Sequence, residues 1–438
     1  MRKNLCLVLC IVMFAALITG CTAAPAAQPA EAAAATSAPV SDSSQDAAPA
    51  TKTVITYWNG FTGPDGEALK ELTDLYNQTN TMNVEVVLDI MPWDVLYQKL
   101  ASALPVGEGP DIIAFNTENI GTYAKPGAIA VLDDIYASGG IDASVIPSAL
   151  NDNLKIDGKY YGVPQNFATL LLYYNKDMFK AAGLDPEKPP KDWNELEQYA
   201  LALTKTGTDA QYGFGLATNN TIPMWPIMIW GGGGDFIGSN GESVFNSKEN
   251  VDTITRWASL IKNNQIAPPT MTGGEIDKLF ESQKLAMYFC GPWATGGFTK
   301  AGINFGVAPA PAGPGKNVTL GTSVAMVMTA ATKNKEAVYD YFKYWNSIDT
   351  QVEWSLKTGF PLARTDAIND ARLSANPYVI DFSKVANDAQ FYLQQLTNYS
   401  TIDNEVIIPA IETILLTNAD IQKTLDDAAV KMNGLLGK

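Results

Sequence analysis

The fold is decided in residues 53–76, which are TVITYWNGFTGPDGEALKELTDLY. Residues 54–57 form a short run of apolar, β-branched and aromatic side chains, which indicates a buried strand. Residues 67–76 carry apolar side chains at helical spacing, so they predict a helix with one apolar face. A turn containing glycine and proline separates the two elements. The stretch therefore predicts a strand, a turn and a helix in succession.

The same alternation continues downstream. Residues 84–89 predict a second strand and residues 93–103 a second helix. Pro110 interrupts the chain, and residues 111–115 form a third apolar run that predicts a strand. A βαβαβ order implies a parallel sheet covered by helices. This part of the chain is therefore predicted to be one α/β lobe.

A second region of α/β type follows in the middle of the chain. Residues 170–174 predict a strand, and Asp192 and Glu195 have the spacing of a capping box that begins a helix. Ser247 is expected to cap another helix, and residues 324–328 predict a return to a strand. A chain of 438 residues can bury more than one core, so we expect two lobes.

The N-terminal segment, residues 1–21, has the pattern of an export signal. Two basic residues precede an apolar run over residues 5–18, which is shorter than the roughly 20 residues of a membrane-spanning helix. Residues 17–21, LITGC, resemble the bacterial lipobox, in which the cysteine receives lipid and becomes the mature N-terminus. Residues 22–51 are rich in alanine, proline, serine and threonine and predict a disordered tether after a lipid anchor at Cys21.

Composition excludes several classes of function. Of four cysteines, only Cys290 lies beyond the signal, Cys21 and the tether, so no disulfide can form within the body. Histidine is absent, which removes Ser-His-Asp triads and histidine-ligated zinc. The net charge of -16 disfavours a nucleic-acid partner. We expect no metal, no cofactor and no catalytic residue, so the protein is predicted not to be an enzyme.

Four segments of the chain carry a family resemblance when taken together. In the family's order they are residues 55–61 (ITYWNGF), 173–179 (YYNKDMF) followed by 182–185 (AGLD), 286–293 (AMYFCGPW), and 357–361 (KTGFP) with Arg364. With the lipobox, they resemble the family 1 extracellular solute-binding proteins, which include the maltodextrin- and glycerol-3-phosphate-binding proteins of ABC importers. The resemblance covers most of residues 52–438.

The resemblance implies a type II periplasmic-binding-protein fold, with two α/β lobes joined by three hinge crossings. The crossings are expected near residues 167–171, 305–308 and 344–352. The implied bounds are 52–166 and 306–346 for one lobe, and 167–305 and 347–438 for the other.

The implied function is capture of a mono- or oligosaccharide between the lobes and its delivery to the permease of an ABC importer. The protein is then expected to be a monomer outside the cytoplasm, lipid-anchored to the cell membrane at Cys21, on the outer face or in the periplasm. Two alternatives stay open. A glycerophosphodiester ligand would fit the family, although arginine is scarce. An exported glycoside hydrolase could use two carboxylates, such as Asp65 and Glu118.

Sugar sites combine aromatic rings, which stack on pyranose faces, with carboxylates and amides that bond hydroxyl groups. Parallel sheets place ligands at the carboxyl ends of their strands, which selects the residues after the first three strands. The candidate ligand-binding residues are Trp58, Asn59, Phe61, Thr62, Asp65, Trp93, Glu118, Asn166, Trp225, Trp230, Gly232, Trp293, Thr322, Ser323 and Arg364.

Two candidates rest on the resemblance. Glu118 falls where the maltodextrin-binding protein has a carboxylate that contacts sugar, and Trp293 falls where it stacks an indole on sugar. Other interpretations of the candidates stay open. Trp58, Trp225 and Trp230 could be core residues, Glu118 could cap a helix, and Arg364 could tie the hinge.

Overall fold

The computed structural model describes residues 52–218, 223–394, 396 and 398–438. The predicted signal, the lipid-attachment residue Cys21 and the predicted tether lie outside the described residues. No helix in the part of the chain that the structure describes is both long enough and apolar enough to cross a bilayer.

The strands include all those that the sequence predicts. They are β1 Thr53–Asn59, β2 Val84–Ile90, β3 Ile112–Asn116, β4 Lys155–Ile156, β5 Lys159–Tyr160, β6 Val163–Thr169, β7 Leu171–Asn175, β8 Met287–Cys290, β9 Phe305–Ala308, β10 Thr319–Met328 and β11 Ala389–Phe391.

The helices fill the connections between the strands and most of the C-terminal part. They are α1 Pro64–Thr79, α2 Trp93–Ala103, α3 Ile120–Ala124, α4 Asp133–Ala137, α5 Ser148–Asn153, α6 Lys176–Ala181, α7 Trp193–Leu203, α8 Trp225–Gly231, α9 Lys248–Asn264, α10 Gly273–Glu281, α11 Thr295–Lys300, α12 Lys335–Trp345, α13 Ile348–Thr358, α14 Pro377–Lys384, α15 Tyr399–Ile402, α16 Ile408–Leu416 and α17 Ile421–Leu436.

Local sequence explains where several helices begin. α1 starts three residues before the predicted helix because Pro64 is favourable in the first turn, where its missing N–H costs nothing. Asp192 caps α7 as expected, by accepting from the N–H groups of Asn194 and Glu195. In the predicted capping box Glu195 would accept from the N–H of Asp192. In the structure Glu195 accepts instead from the N–H of Lys191. Ser247 caps α9 as predicted.

The larger sheet has the order β11-β10-β3-β1-β2, with β6 also paired to β10. β1 is parallel to both β2 and β3, as the βαβαβ pattern predicts. β10 is antiparallel to β3 and to β6. β11 is parallel to β10. The sheet is therefore mixed, and the predicted parallel arrangement is found in its first three strands.

The smaller sheet is antiparallel, with the order β8-β7-β9. The chain passes from β6 of the larger sheet to β7 of the smaller one through Leu170, whose N–H donates to the carbonyl of Leu320. It returns between Ala308, the end of β9, and Thr319, the start of β10. These connections bring one end of each sheet close to the other.

Each sheet has its own apolar core. One core contains Tyr57 and Phe115 of the larger sheet, and we call this body lobe 1. The other contains Tyr173 of the smaller sheet and Trp257 of α9, and we call it lobe 2. Trp293 packs against both cores. The fold is therefore α/β and two-lobed.

Candidate ligand-binding cleft

A cleft of about 460 Å³ lies between elements of the two lobes. From lobe 1 it is lined by the loop after β1, the first residue of α2, and residues of β3, β6 and β10; from lobe 2 it is lined by α10, the end of β8 and α11. Its lining residues are Gly60, Phe61, Thr62, Gly63, Pro64, Asp65, Trp93, Asn116, Asn166, Leu170, Met224, Gly273, Gly274, Asp277, Glu281, Phe289, Cys290, Trp293, Ala294, Gly297, Phe298, Thr322, Val324 and Phe360.

The lobe 1 wall begins where β1 ends. The loop that follows β1 brings Phe61, Thr62 and Asp65 to the cleft, because ligands are reached from the carboxyl ends of parallel strands. Phe61 is buried and meets Trp93 edge to face, with ring centroids 5.4 Å apart. Tyr97 stacks behind Trp93 at 6.0 Å. This wall therefore presents a half-buried indole that is held from behind by other rings.

The lobe 2 wall is formed where β8 ends and α11 begins. Phe289 and Cys290 close β8, and a 3-10 turn over Pro292–Ala294 presents Trp293, which is half-buried. Its ring centroid lies 6.1 Å from that of Phe360. Each lobe therefore contributes one partly exposed indole to the same cleft.

Asp277 of α10 supplies a carboxylate that the sequence analysis did not select. Its Oδ1 accepts a hydrogen bond from the Tyr288 hydroxyl at 2.9 Å, and the Cys290 thiol lies 3.7 Å from the same oxygen. Burial raises the pKa of Asp277 to about 6. A full capping box, Thr272 with Glu275, begins α10 and could have predicted the helix from sequence. Nothing local to residue 277 indicates that it faces a loop more than 200 residues away.

The cleft is acidic. Burial raises the pKa of Asp65 to about 6, although the Gly66 N–H donates to its carboxylate at 2.9 Å. Asp65, Asp277 and Glu281 all line the cleft, and no lysine or arginine is among its lining residues as far as the chain is described. An anionic ligand would meet only like charge and polar neutral groups there. In the same described residues, no group of acidic or cysteine side chains is arranged to hold a metal ion.

The comparison with protein families decides the identity. The model of the bacterial extracellular solute-binding proteins matches residues 61–352. The chain belongs to this family. The segments that carry the resemblance in the sequence, and the cleft between two lobes, are therefore those of a solute-binding protein, whose location is outside the cytoplasm.

Relatives of this solute-binding protein cover nearly its whole length. A putative binding protein of Brucella abortus is 28% identical over 413 residues, which cover 90% of this chain and 95% of that protein. The galactooligosaccharide-binding protein of Bacillus subtilis is 23% identical over 410 residues, with 90% and 91% covered. An ABC transporter solute-binding protein of Thermotoga lettingae, solved with α-D-tagatose, has a TM-score of 0.80 at 23% identity and covers 88% of this chain. All of that structure is matched, which supports the two-lobed fold.

Some of the residues predicted for the site of this solute-binding protein lie together in the cleft. They are Phe61, Thr62, Asp65, Trp93, Asn166, Trp293 and Thr322. The side-chain oxygen of Asn166 already accepts from the N–H of Val324 at 3.0 Å, which fixes the orientation of the amide and leaves its NH₂ group free to donate to a ligand. The structure leaves the other predicted residues out of the cleft lining.

Trp58 and Asn59 are separated from the cleft by the alternation of β1. Asn59 is fully buried, and its side-chain oxygen accepts from the N–H of Phe61 at 3.3 Å, which shapes the loop that does reach the cleft. Trp58 points to the opposite face of the strand, where the ammonium group of Lys99 lies 3.7 Å from its ring centroid. Asn59 therefore supports the loop that lines the cleft, whereas Trp58 packs with Lys99 outside it.

Glu118 and Ser323 lie beside the cleft and not in it. Glu118 lines a second, much smaller pocket of about 20 Å³ that shares Thr322 with the cleft. Burial, helped by the nearby charge of Asp403, raises the pKa of Glu118 to about 7. Ser323 is buried and exchanges a hydrogen bond of 2.7 Å with Thr117.

Trp225, Trp230 and Gly232 belong to the interior of lobe 2. Both indoles are 1% exposed and lie in its core, and the Trp230 N–H donates to Asp235 at 3.1 Å. Gly232 follows α8, lies against the side chain of Thr253 in α9, and is not a lining residue of the cleft. An apolar helix such as α8 has the same composition whether it packs in a core or against a ligand, which is why the sequence did not separate the two.

Arg364 is used within lobe 1. Its guanidinium pairs with the Asp366 carboxylate through two hydrogen bonds of 2.6 Å and donates to the carbonyl of Asn346. These bonds hold the guanidinium away from the cleft, of which Arg364 is not a lining residue. Arg364 therefore ties the segment after α13 to the end of α12.

Proposed function

We propose that this protein captures an uncharged sugar in the cleft and delivers it to the permease of an ABC importer. The observation that carries the proposal is the pairing of two half-buried indoles, Trp93 and Trp293, on opposite walls of one acidic cleft. A pyranose has apolar faces that stack on aromatic rings and a rim of hydroxyl groups that need directed partners. The cleft has both kinds of partner.

The polar groups of the cleft suit hydroxyl groups. Asp65 and Asp277 can each accept from sugar hydroxyls, and Thr62 and the NH₂ groups of Asn116 and Asn166 can donate. The Asp277 carboxylate is held by Tyr288, so its free lone pairs keep a fixed direction. A rigid acceptor loses little entropy on binding, which favours specific recognition.

The relatives support a sugar ligand. The Bacillus subtilis relative is named for galactooligosaccharides, and the Thermotoga lettingae structure holds α-D-tagatose. The cleft volume of about 460 Å³ lies in the range of small-molecule sites. A mono- or short oligosaccharide is the class that fits the chemistry and the volume together.

The charge of the cleft argues against the first alternative. A glycerophosphodiester carries a phosphate, and phosphate sites in proteins use arginine, lysine or a helix N-terminus that points at the anion. The described lining residues hold neither basic side chain, and three of them are acidic. Such an anion would therefore meet like charge, against which the cleft sets the N-terminal turns of α1 and α10 but no basic side chain.

The geometry also argues against a glycoside hydrolase that uses Asp65 and Glu118 as its pair of carboxylates. Its predicted acid and base, Asp65 and Glu118, line different pockets. A retaining or inverting hydrolase needs both carboxylates on one scissile bond. We therefore propose that the protein binds its ligand without converting it.

We also propose the lobe boundaries and the hinge, starting from the bounds predicted in the sequence. Because β9 pairs with β7, the second crossing is better placed between Ala308 and Thr319 than at residue 306. Phe360 packs in the lobe 1 core and Phe382 in that of lobe 2, so the third crossing is better placed between those residues than at residue 347. The chain then returns to the larger sheet at β11 and reaches the lobe 2 core again by Ile402, so this part of the chain passes between the lobes more than once. The first crossing lies at Leu170, inside the predicted range of 167–171, and the lobe bound moves there from residue 166 because β6 runs to Thr169 in the larger sheet.

We further propose that Cys21 carries a lipid that holds the protein at the outer face of the cell membrane, as a monomer. The supporting observations are the LITGC pattern and the tether composition of residues 22–51. A diacyl anchor gives stable attachment, whereas a single acyl chain binds only marginally.

Calorimetric titration and thermal unfolding with a ligand panel test the proposed function. The panel contains neutral mono- and oligosaccharides, glycerol-3-phosphate and a glycerophosphodiester. A neutral sugar at about 100 times its dissociation constant should add roughly 2.7 kcal/mol of stability. Stabilisation by the phosphates alone would overturn the proposal, and so would release of a cleaved sugar.

A further inference from the structure

Both cleft indoles lie against a glycine that directly follows a strand. Gly60 follows β1 and is covered by Trp93, the first residue of α2. Gly291 follows β8 and is covered by Trp293, which lies two residues further on. The same arrangement therefore occurs once on each wall of the cleft.

The contact between Gly60 and Trp93 leaves no room for a side chain. A Cβ atom built on Gly60 would come within 2.5 Å of Trp93 Cε3, and closer still to Cδ2 and Cε2. Ordinary carbon contacts are about 3.5 to 4.0 Å, so the indole would have to move by more than about 1 Å. The three nearest heavy atoms all belong to Trp93, so the obstruction comes from the indole.

The contact on the other wall has the same geometry. A Cβ atom on Gly291 would come within 2.5 Å of Trp293 Cε3, and closer still to Cζ3 and Cη2. Gly291 has φ -93° and ψ 179°, which any residue can adopt. Gly60 is not among the residues with positive φ either. Backbone strain therefore does not explain glycine at these two positions, whereas the indole contact does.

We propose that Gly60 and Gly291 are positioning residues that seat the two indoles, and so set which surface each ring offers to the ligand. This inference rests on the proposed function, because it assumes that the two positioned indoles stack on a sugar. One side of each ring packs directly on the backbone of the glycine, because the glycine has no side chain to displace it. This packing keeps the ring in its binding orientation before a ligand arrives.

A double-mutant cycle on ligand affinity tests whether the two glycines position the two indoles. Gly60→Ala should weaken binding of the best sugar of the panel by about tenfold, comparable to Trp93→Ala, because a displaced ring loses its stacking contact. In the Trp93→Ala background, the same glycine substitution should change affinity less than about twofold, because the obstructing ring is gone. Gly291→Ala and Trp293→Ala form the second cycle.

Gly296→Ala is the matched control. Gly296 lies in α11, close to Trp293, it is not a lining residue of the cleft, and a Cβ there would meet nothing within 4 Å. This substitution should leave affinity unchanged. Equal losses from Gly60→Ala with and without the Trp93 indole would overturn the proposal, since the glycine would then act independently of the ring.

Fluorine NMR of the protein labelled with 5-fluorotryptophan tests the positions of the two indoles in the absence of ligand. The resonances of the two cleft indoles are assigned from Trp93→Phe and Trp293→Phe. Gly60→Ala should shift the Trp93 resonance and leave those of the core tryptophans in place, which also shows that the variant is folded. An unshifted Trp93 resonance would overturn the proposal that Gly60 positions the Trp93 indole. If no sugar binds the wild type while this shift occurs, the proposed function fails and the packing of the indole on glycine stands.

Discussion

The substitution Trp293→Ala separates a ligand-stacking role from a structural one. Trp293 is half-buried, lines the cleft and touches both lobe cores. One ring face of roughly 40 Å² covered by sugar contributes about 1 kcal/mol at ~25 cal/mol per Å². The aromatic contact adds about 0.5 to 1.5 kcal/mol. Together these predict a loss of affinity of about tenfold to seventyfold.

Trp257→Ala is the matched control in the same lobe. Trp257 is fully buried in α9, where it packs edge to face on Trp193, and it is not a lining residue of the cleft. Its removal should lower the free energy of unfolding by about 3 to 5 kcal/mol, as large aromatic deletions in cores do. Affinity measured on the folded fraction should barely change.

The assay combines calorimetric titration with the best neutral sugar and urea unfolding of the ligand-free protein, run on both variants. For Trp293→Ala we expect a large loss of affinity with a small loss of stability, because part of the ring faces the cleft. The opposite result, unchanged affinity with a collapsed unfolding midpoint, would refute the reasoning. Trp293 would then be a core residue, and the resemblance that selected it would carry less weight.

Three further predictions follow from the cleft and the termini. Burial raises the pKa of Asp277 from 3.8 to about 6, so the folded state holds this proton more tightly than the unfolded chain. The wild type should therefore lose stability relative to Asp277→Asn as the pH rises from 3.8 to about 6, and urea unfolding that showed the reverse trend would contradict the assignment. A bound sugar should shift the lobes toward a closed state with a smaller radius of gyration in solution scattering, whereas identical curves would exclude closure. Cys21→Ser should release a ligand-competent protein from the membrane, and a variant that stayed in the membrane pellet after a high-salt wash would disprove the lipid anchor.

The sequence by itself determined the order of elements and one wall of the site. Alternating short apolar runs and helical spacing predicted β1, α1, β2, α2 and β3, because each pattern follows from the backbone period of its element. The parallel arrangement of these strands then placed Phe61, Thr62 and Asp65 at the cleft. Each of these inferences depends only on neighbours in the chain.

Only the tertiary structure decided which tryptophans line the cleft and which carboxylates accompany them. Trp225 and Trp230 are buried because α9 and the lobe 2 core pack over α8. The sequence of α8 itself does not indicate that other elements cover it. Asp277 and Asp65 line the same cleft because the chain crosses between the sheets and places α10 on the lobe 2 wall and the loop after β1 on the lobe 1 wall. A hydrophobic or acidic residue has the same local pattern in a core, on a surface or in a cleft. Its role is set by long-range packing, which depends on how the two lobes close around the space between them.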